Sequence, residues 1–240
     1  RPNFFDIVPY QQVDVDNLLV LQGNAGLMPT TATNLDLLAE QYFQGGGLVT
    51  AGVFYKHLND IIFTQTTKIA GGAYNNYWLT QPVNGGNSSL VGFEVNLETQ
   101  LRFLPGFLDG LGLSVNYAYT SSTADVGNRL TRSELPGQAA NVGNFVISYE
   151  KYGFSGRYSI GYNGKFTEAV GIDAQRDRIY KEHMQMDFSA SQDVYKGLQV
   201  YFEWINLNKE PMIYYQGDES HPLQQEFYSW WMHFGLKFKI

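Results

Sequence analysis

The chain has 240 residues, a formal net charge of -7, no cysteine, 15% aromatic residues and 17 tyrosines. Its acidic balance and a pI near 5.0 argue against nucleic acid as a partner, and the lack of thiols excludes disulfide and thiolate chemistry. No run approaches the roughly eighteen apolar residues of a membrane helix, and no signal peptide is present, so the chain is expected to be mature or a piece of a longer one.

Residues 1–35 carry Pro2, Pro9 and Pro29 with two Gly-flanked turns. They are expected to form an extracellular lead-in loop with the remnant of a strand. Strand-like segments follow near residues 36–43 and 48–55. The next places Val91, Phe93, Val95, Leu97, Leu101 and Phe103 against Glu94, Asn96, Glu98, Gln100 and Arg102. Because side chains alternate across a strand, this pattern predicts one apolar face and one charged face. A dry core would have to pair every charge, whereas a wet lumen accepts them.

The same pattern recurs downstream. Leu111, Leu113, Val115, Tyr117 and Tyr119 oppose Ser114, Asn116 and Thr120; Phe145, Ile147 and Tyr149 oppose Asn144, Ser148 and Glu150. Phe154, Tyr158, Ile160 and Tyr162 alternate with Ser155, Arg157, Ser159 and Asn163. Met184, Met186 and Phe188 alternate with Gln185 and Asp187, and Leu198, Val200, Phe202 and Trp204 with Gln199 and Glu203. Last, Tyr228, Trp230, Met232, Phe234, Leu236, Phe238 and Ile240 share one parity while His233, Lys237 and Lys239 take the other.

Connection lengths give direction. Residues 44–47, 105–110, 151–152 and 194–197 are short turns, and residues 59–89, 122–140, 164–180 and 208–225 are long loops, unusual in a compact domain. Bacterial outer-membrane barrels put short turns in the periplasm and long loops outside, which places the C-terminus in the periplasm. The fold expected is all-β, a transmembrane antiparallel barrel. About nine strands are counted where such barrels have even numbers, so further N-terminal strands are expected.

Particular residues carry a resemblance. Arg1-Pro2-Asn3-Phe4, Gly23-Asn24-Ala25-Gly26-Leu27-Met28-Pro29 and Asn34-Leu35-Asp36-Leu37 come first, followed by Glu40-Gln41-Tyr42-Phe43 and the run from Gly47 to Lys56. Asn59-Asp60-Ile61-Ile62, Gly92-Phe93-Glu94 and Asn206-Leu207-Asn208-Lys209-Glu210-Pro211 with Tyr214-Tyr215 continue in order. Together they resemble the C-terminal barrel region of TonB-dependent outer-membrane receptors. One departure is the final Ile240, where these barrels commonly end on an aromatic residue.

The resemblance implies that residues 36–240 are the last nine strands of a barrel of about 22, with the N-terminal plug domain outside this chain. It implies energised import of a scarce nutrient such as a metal chelate, cobalamin, glycan or peptide. The partners implied are outer-membrane lipid, the N-terminal barrel half and plug, periplasmic TonB acting through that plug, and in some relatives a surface lipoprotein.

Candidate ligand contacts lie in the long loops. Tyr74, Tyr77 and Trp78 are either a platform for a planar or sugar-like ligand, aided by Asn75, Asn76 and Gln81, or part of an interfacial girdle or loop packing. Arg176 and Arg178, with Lys165, either hold an anionic ligand or are neutralised by Asp173, Asp177 and Glu182. Tyr214 and Tyr215, beside Gln216 and Asp218, are equally open. No catalytic, metal or cofactor site is expected: His57, His183, His221 and His233 are scattered, no GxSxG elbow occurs, and Gly45-Gly46-Gly47 lacks the Lys-Ser/Thr of a phosphate loop. Alternatives are a small self-standing barrel acting as a passive pore or adhesin, and a soluble carbohydrate-binding module.

Overall fold

Period-two alternation of β-branched and aromatic residues with polar ones favours a pleated, half-buried backbone. The computed structural model is accordingly built of strands. It describes residues 2–126 and 132–238; Arg1, Lys239, Ile240 and residues 127–131 of the expected 122–140 loop lie outside them.

A helical turn, α1 (Phe4–Ile7), precedes β1 (Gln11–Asp14) and β2 (Leu19–Gln22). The hairpin of β3 (Thr31–Phe43) and β4 (Gly47–Asn59) follows, then β5 (Ile62–Lys68) and β6 (Trp78–Asn84). Next come β7 (Ser88–Gln100), β8 (Leu111–Ala124), β9 (Asn141–Lys151) and β10 (Phe154–Asn163). β11 (Phe166–Ala169) and β12 (Arg178–Tyr180) lead to β13 (His183–Tyr195) and β14 (Leu198–Ile205). The last are β15 (Met212–Gln216), β16 (Pro222–Glu226) and β17 (Trp231–Phe238).

These form three sheets. A wall of nine strands runs in the order β17-β14-β13-β10-β9-β8-β7-β4-β3, and two four-stranded sheets, β1-β2-β6-β5 and β11-β12-β15-β16, are built from the lead-in segment and the long connections. The wall is antiparallel throughout and open, with β3 and β17 at its edges.

Register makes the wall two-faced. The row Leu37↔Val53, Val53↔Phe93, Phe93↔Tyr119 crosses four strands on one side. The row Phe145↔Ile160, Ile160↔Met186 and the row Ala190↔Phe202, Phe202↔Phe234 continue that side to the far edge. Rings meet across this face, as between Phe93 and Tyr119 (5.8 Å) and between Phe188 and Phe202 (6.3 Å). The opposite side carries Glu94, Asn116, Asn144, Arg157, Asp187 and Glu203, with Asn144 donating to the Asn116 side chain at 3.0 Å. A one-residue slip on any strand would exchange the two sets, so the pattern fixes the register.

Strand limits differ from the sequence reading in three places. β3 begins at Thr31, not near Asp36. Leu101, Arg102 and Phe103 lie beyond β7, because the Leu104 N–H bonds back to the Leu101 carbonyl at 3.0 Å ahead of Pro105 and Gly106, whose φ is +67°. β17 begins at Trp231, so Phe227, Tyr228 and Trp230 precede it. Buried Asn206 holds that approach off the ladder by donating to the Tyr228 carbonyl at 3.2 Å.

Most of the wall presents both faces outward, so the packed interior lies elsewhere. Ile61, Phe63, Ala124, Val126 and Val170 form a buried cluster, with Leu58, Val83 and Leu135 against it. Residues from three long connections meet there, and their packing excludes water from Phe63 of β5.

Candidate ligand-binding cavity

The two small sheets lie side by side. Gln65 of β5 and Val170, just after β11, make an isolated parallel bridge between them, and both elements feed the buried cluster. Between the sheets lies a cavity of about 550 Å³, lined by Thr66 and Trp78 on one side and by residues 169–172, Arg176, Arg178 and Gln216 on the other. Trp78 supplies an aromatic ring from one side, and on the other Val170 and Ile172 supply apolar surface beside the donors of the two arginines and Gln216.

Arg178 is held by three strands other than its own. Its Nε lies 2.5 Å from Glu168 Oε2 on β11, its Nη2 donates to Gln224 Oε1 on β16 at 2.9 Å, and its guanidinium lies 4.3 Å from the Tyr214 ring centroid on β15. Irregular register makes this possible. Thr167 pairs with Ile179 and Ala169 with Arg178, so Glu168 is an extra residue on its strand, and bulges of this kind re-aim side chains. An aromatic ladder runs beside it, with Tyr180 5.2 Å from Phe166 and 5.0 Å from Tyr214.

Arg176 is placed differently. It lies on a short 3₁₀ turn (Ala174–Arg176), its side chain is 53% exposed, and it pairs with Asp173 three residues earlier. The segment is fixed from behind: the Gly171 N–H donates to Asp177 Oδ1 at 2.9 Å and the Gly217 N–H to the Asp177 carbonyl at 3.0 Å. Gly217 has φ +68°, and a Cβ there would lie 2.5 Å from the Gln175 carbonyl oxygen, so glycine is required for this approach.

Of the seven residues singled out from sequence, Trp78, Arg176 and Arg178 line the cavity, and Tyr214 reaches it through Arg178. Tyr74 and Tyr77 pack against each other with ring centroids 5.6 Å apart and planes tilted by 55°, and are not among the residues that line the cavity. Tyr215 is 4% exposed, with its backbone paired to Ile179. Burial, then the charges of Glu219 and Glu182, push the Tyr215 hydroxyl up, and burial with Tyr214 and Glu210 does the same for Tyr180, so both rings stay neutral. Lys165 does not line the cavity. Lys68 lies 5.7 Å from the Trp78 ring centroid instead, on the strand paired with it. Thr66 and residues 169–172 were not anticipated, because only strand pairing across distant loops brings them to the site. Among the described residues no three His, Asp or Glu side chains gather as a metal site.

The sequence pattern of the family described as TonB dependent receptor-like, beta-barrel, matches residues 1–207. No curated protein matches the chain. Among solved structures, the ferric enterobactin receptor of Pseudomonas aeruginosa superposes with a TM-score of 0.63 at 16% identity, over 99% of this chain and 36% of that one. The siderophore receptor PirA of Acinetobacter baumannii gives 0.62 at 14%, covering 92% and 33%. The FrpB iron transporter of Neisseria meningitidis gives 0.56 at 14%, covering 91% and 31%. Likeness at these identities concerns the fold, and the chain spans about a third of the length of these proteins.

Proposed function

The chain belongs to the TonB-dependent receptor β-barrel family, and from that premise we propose that it supplies barrel wall and outer vestibule to a receptor that imports an anionic iron chelate across the outer membrane. The apolar face of the nine-stranded wall meets lipid and the polar face meets the lumen. Short turns face the periplasm and the two loop sheets stand outside the cell. Further barrel strands and a plug join β3 and β17, and TonB draws on the plug to release the nutrient inward. A surface lipoprotein over the loops belongs to the same proposal.

The observation that carries the substrate class is the cavity that places Trp78 opposite Arg176 and Arg178. An aromatic ring facing the Arg176 guanidinium, with the positive charge of Arg178 beside it, suits a flat, negatively charged chelate better than a neutral glycan or cobalamin. The described relatives are receptors for siderophores or iron, which supports the same class. A self-standing pore or adhesin would need β3 and β17 to pair, and they are the two free edges of the wall.

The test uses the full-length receptor in its host. Uptake of radioactive iron presented as an anionic ferric tris-catecholate should fall about tenfold or more in a Trp78→Ala, Arg176→Ala double variant, at unchanged receptor abundance. Uptake equal to wild type would end the iron-chelate reading.

A further inference from the structure

Two arginines two residues apart line one cavity, yet their surroundings differ in kind. Arg178 is engaged from β11, β15 and β16 at once, through Glu168, Tyr214 and Gln224, and thus touches every other strand of its sheet. Arg176 is engaged by Asp173 on its own turn, and both of these side chains are about half exposed. An exposed pair within one turn contributes little and exchanges readily; the Arg178–Glu168 pair is almost as open, at 38% and 40%, so what holds Arg178 is the addition of the Gln224 hydrogen bond and the Tyr214 ring from two further strands.

Resting on the iron-chelate reading above, we propose that the two arginines divide the work. Arg178 is a positioning residue that pins the four strands of the outer sheet, and Arg176 is the specificity residue, releasing Asp173 to take an anionic oxygen of the ligand. The difference in the number of partners favours this division. For Arg178 to turn to a ligand it would have to leave Glu168 on the bulge of β11, drop the Gln224 contact and uncover the Tyr214 ring. Among the described residues, the contact Arg176 has to give up is the Asp173 carboxylate on its own turn. Electroneutrality then sets selectivity: a ligand with no anionic oxygen cannot replace Asp173, so a neutral chelate of the same size binds no better when Arg176 is present.

The experiment uses purified full-length receptor and two probes, an anionic ferric tris-catecholate and a neutral ferric tris-hydroxamate, with hydrogen exchange of the outer sheet measured on the same variants. Arg176→Ala is expected to weaken the catecholate about tenfold, the loss of one charge-assisted contact, to flatten its salt dependence, and to leave the hydroxamate and the exchange of β11, β12, β15 and β16 unchanged. Arg176→Lys, which keeps the charge, should restore most of the catecholate affinity. Arg178→Lys also keeps the charge but lacks the planar fork. It is expected to speed exchange in all four strands together and to weaken both probes alike.

Wild-type exchange in Arg178→Lys overturns the positioning role, and equal loss of both probes in Arg176→Ala overturns the specificity role. If the wild-type receptor binds neither probe, the iron-chelate reading falls and the Arg176 assignment with it, while the exchange data still decide Arg178.

Discussion

The side-chain carbonyl of Asn208 accepts a hydrogen bond from the backbone N–H of Met186 at 3.0 Å, and its amide donates to the Met184 carbonyl at 2.5 Å. One side chain thus continues the β13 ladder where β14 has stopped at Ile205. Asn206, with φ +55°, makes the turn that brings Asn208 there: its side chain accepts from the Glu210 N–H at 2.7 Å and donates to the Glu210 and Tyr228 carbonyls. The run Asn206–Glu210 is therefore a built corner that ends one strand and launches the next connection.

Replacing Asn206 by Ala is expected to remove these bonds and to strain a left-handed position, costing about 2–3 kcal/mol locally. The Met186 amide, which Asn206 does not touch, should lose protection in hydrogen exchange. Unchanged protection there would mean that Asn208 finds its place without the corner.

The two faces of the wall should differ in tolerance. Phe93→Arg on the apolar face is expected to cost about 2–4 kcal/mol if it meets the bilayer near its midplane, read as loss of folded receptor in outer-membrane fractions. Asn116→Arg, on the polar face three strands from the β3 edge, should leave that amount near wild type. Similar losses from both would contradict the assignment of lipid to the apolar side.

Loop order should depend on the small buried cluster. Phe63 is 7% exposed and packs among residues of three separate connections. Phe63→Ala opens a cavity expected to cost about 3 kcal/mol, and exchange should rise together in β5 and in residues 169–172. A rise confined to β5 would show that the two loop sheets hold their shape separately.

Acid should loosen the β15–β16 tip. Asp218 is held below the usual carboxylate range first by the Ser220 hydroxyl, then by the Ser220 N–H at 2.9 Å and His221 at 3.2 Å. A carboxyl depressed in the folded state adds stability above its unfolded value, 3.8, and that stability is lost as pH falls through the lower folded value. Exchange protection at residues 217–221, corrected for intrinsic rate, should fall below about pH 4. Asp218→Asn should remove this pH dependence.

How far the chain could be read in advance follows from the range of its contacts. Alternation in Val91–Leu97 and in Met184–Phe188 is a local property, and it foretold strands with one apolar face because neighbouring side chains must point oppositely. It misjudged the ends of β3, β7 and β17. Those ends depend on Pro105 and Gly106 turning the chain and on Asn206 reaching Tyr228, contacts that leave no periodic trace. Trp78, Arg176 and Arg178 could be singled out by type, but Tyr74, Tyr77 and Tyr215 have the same type and lie outside the cavity. Thr66, Glu168 and Gln224 gave no signal, since their roles arise from a parallel bridge, a bulge and a partner two strands away.

By itself, then, the sequence determined an all-β chain with two-faced strands joined by alternating short and long connections, because backbone geometry and side-chain polarity act between residues close along the chain. Only the tertiary structure decided that the long connections fold into two further sheets with a cavity between them, and that Arg178 is engaged from three other strands while Arg176 pairs within its own turn. Those outcomes rest on packing among segments as far apart in the chain as Thr66 and Gln216, where the pairing of one loop with another sets each side chain's neighbours.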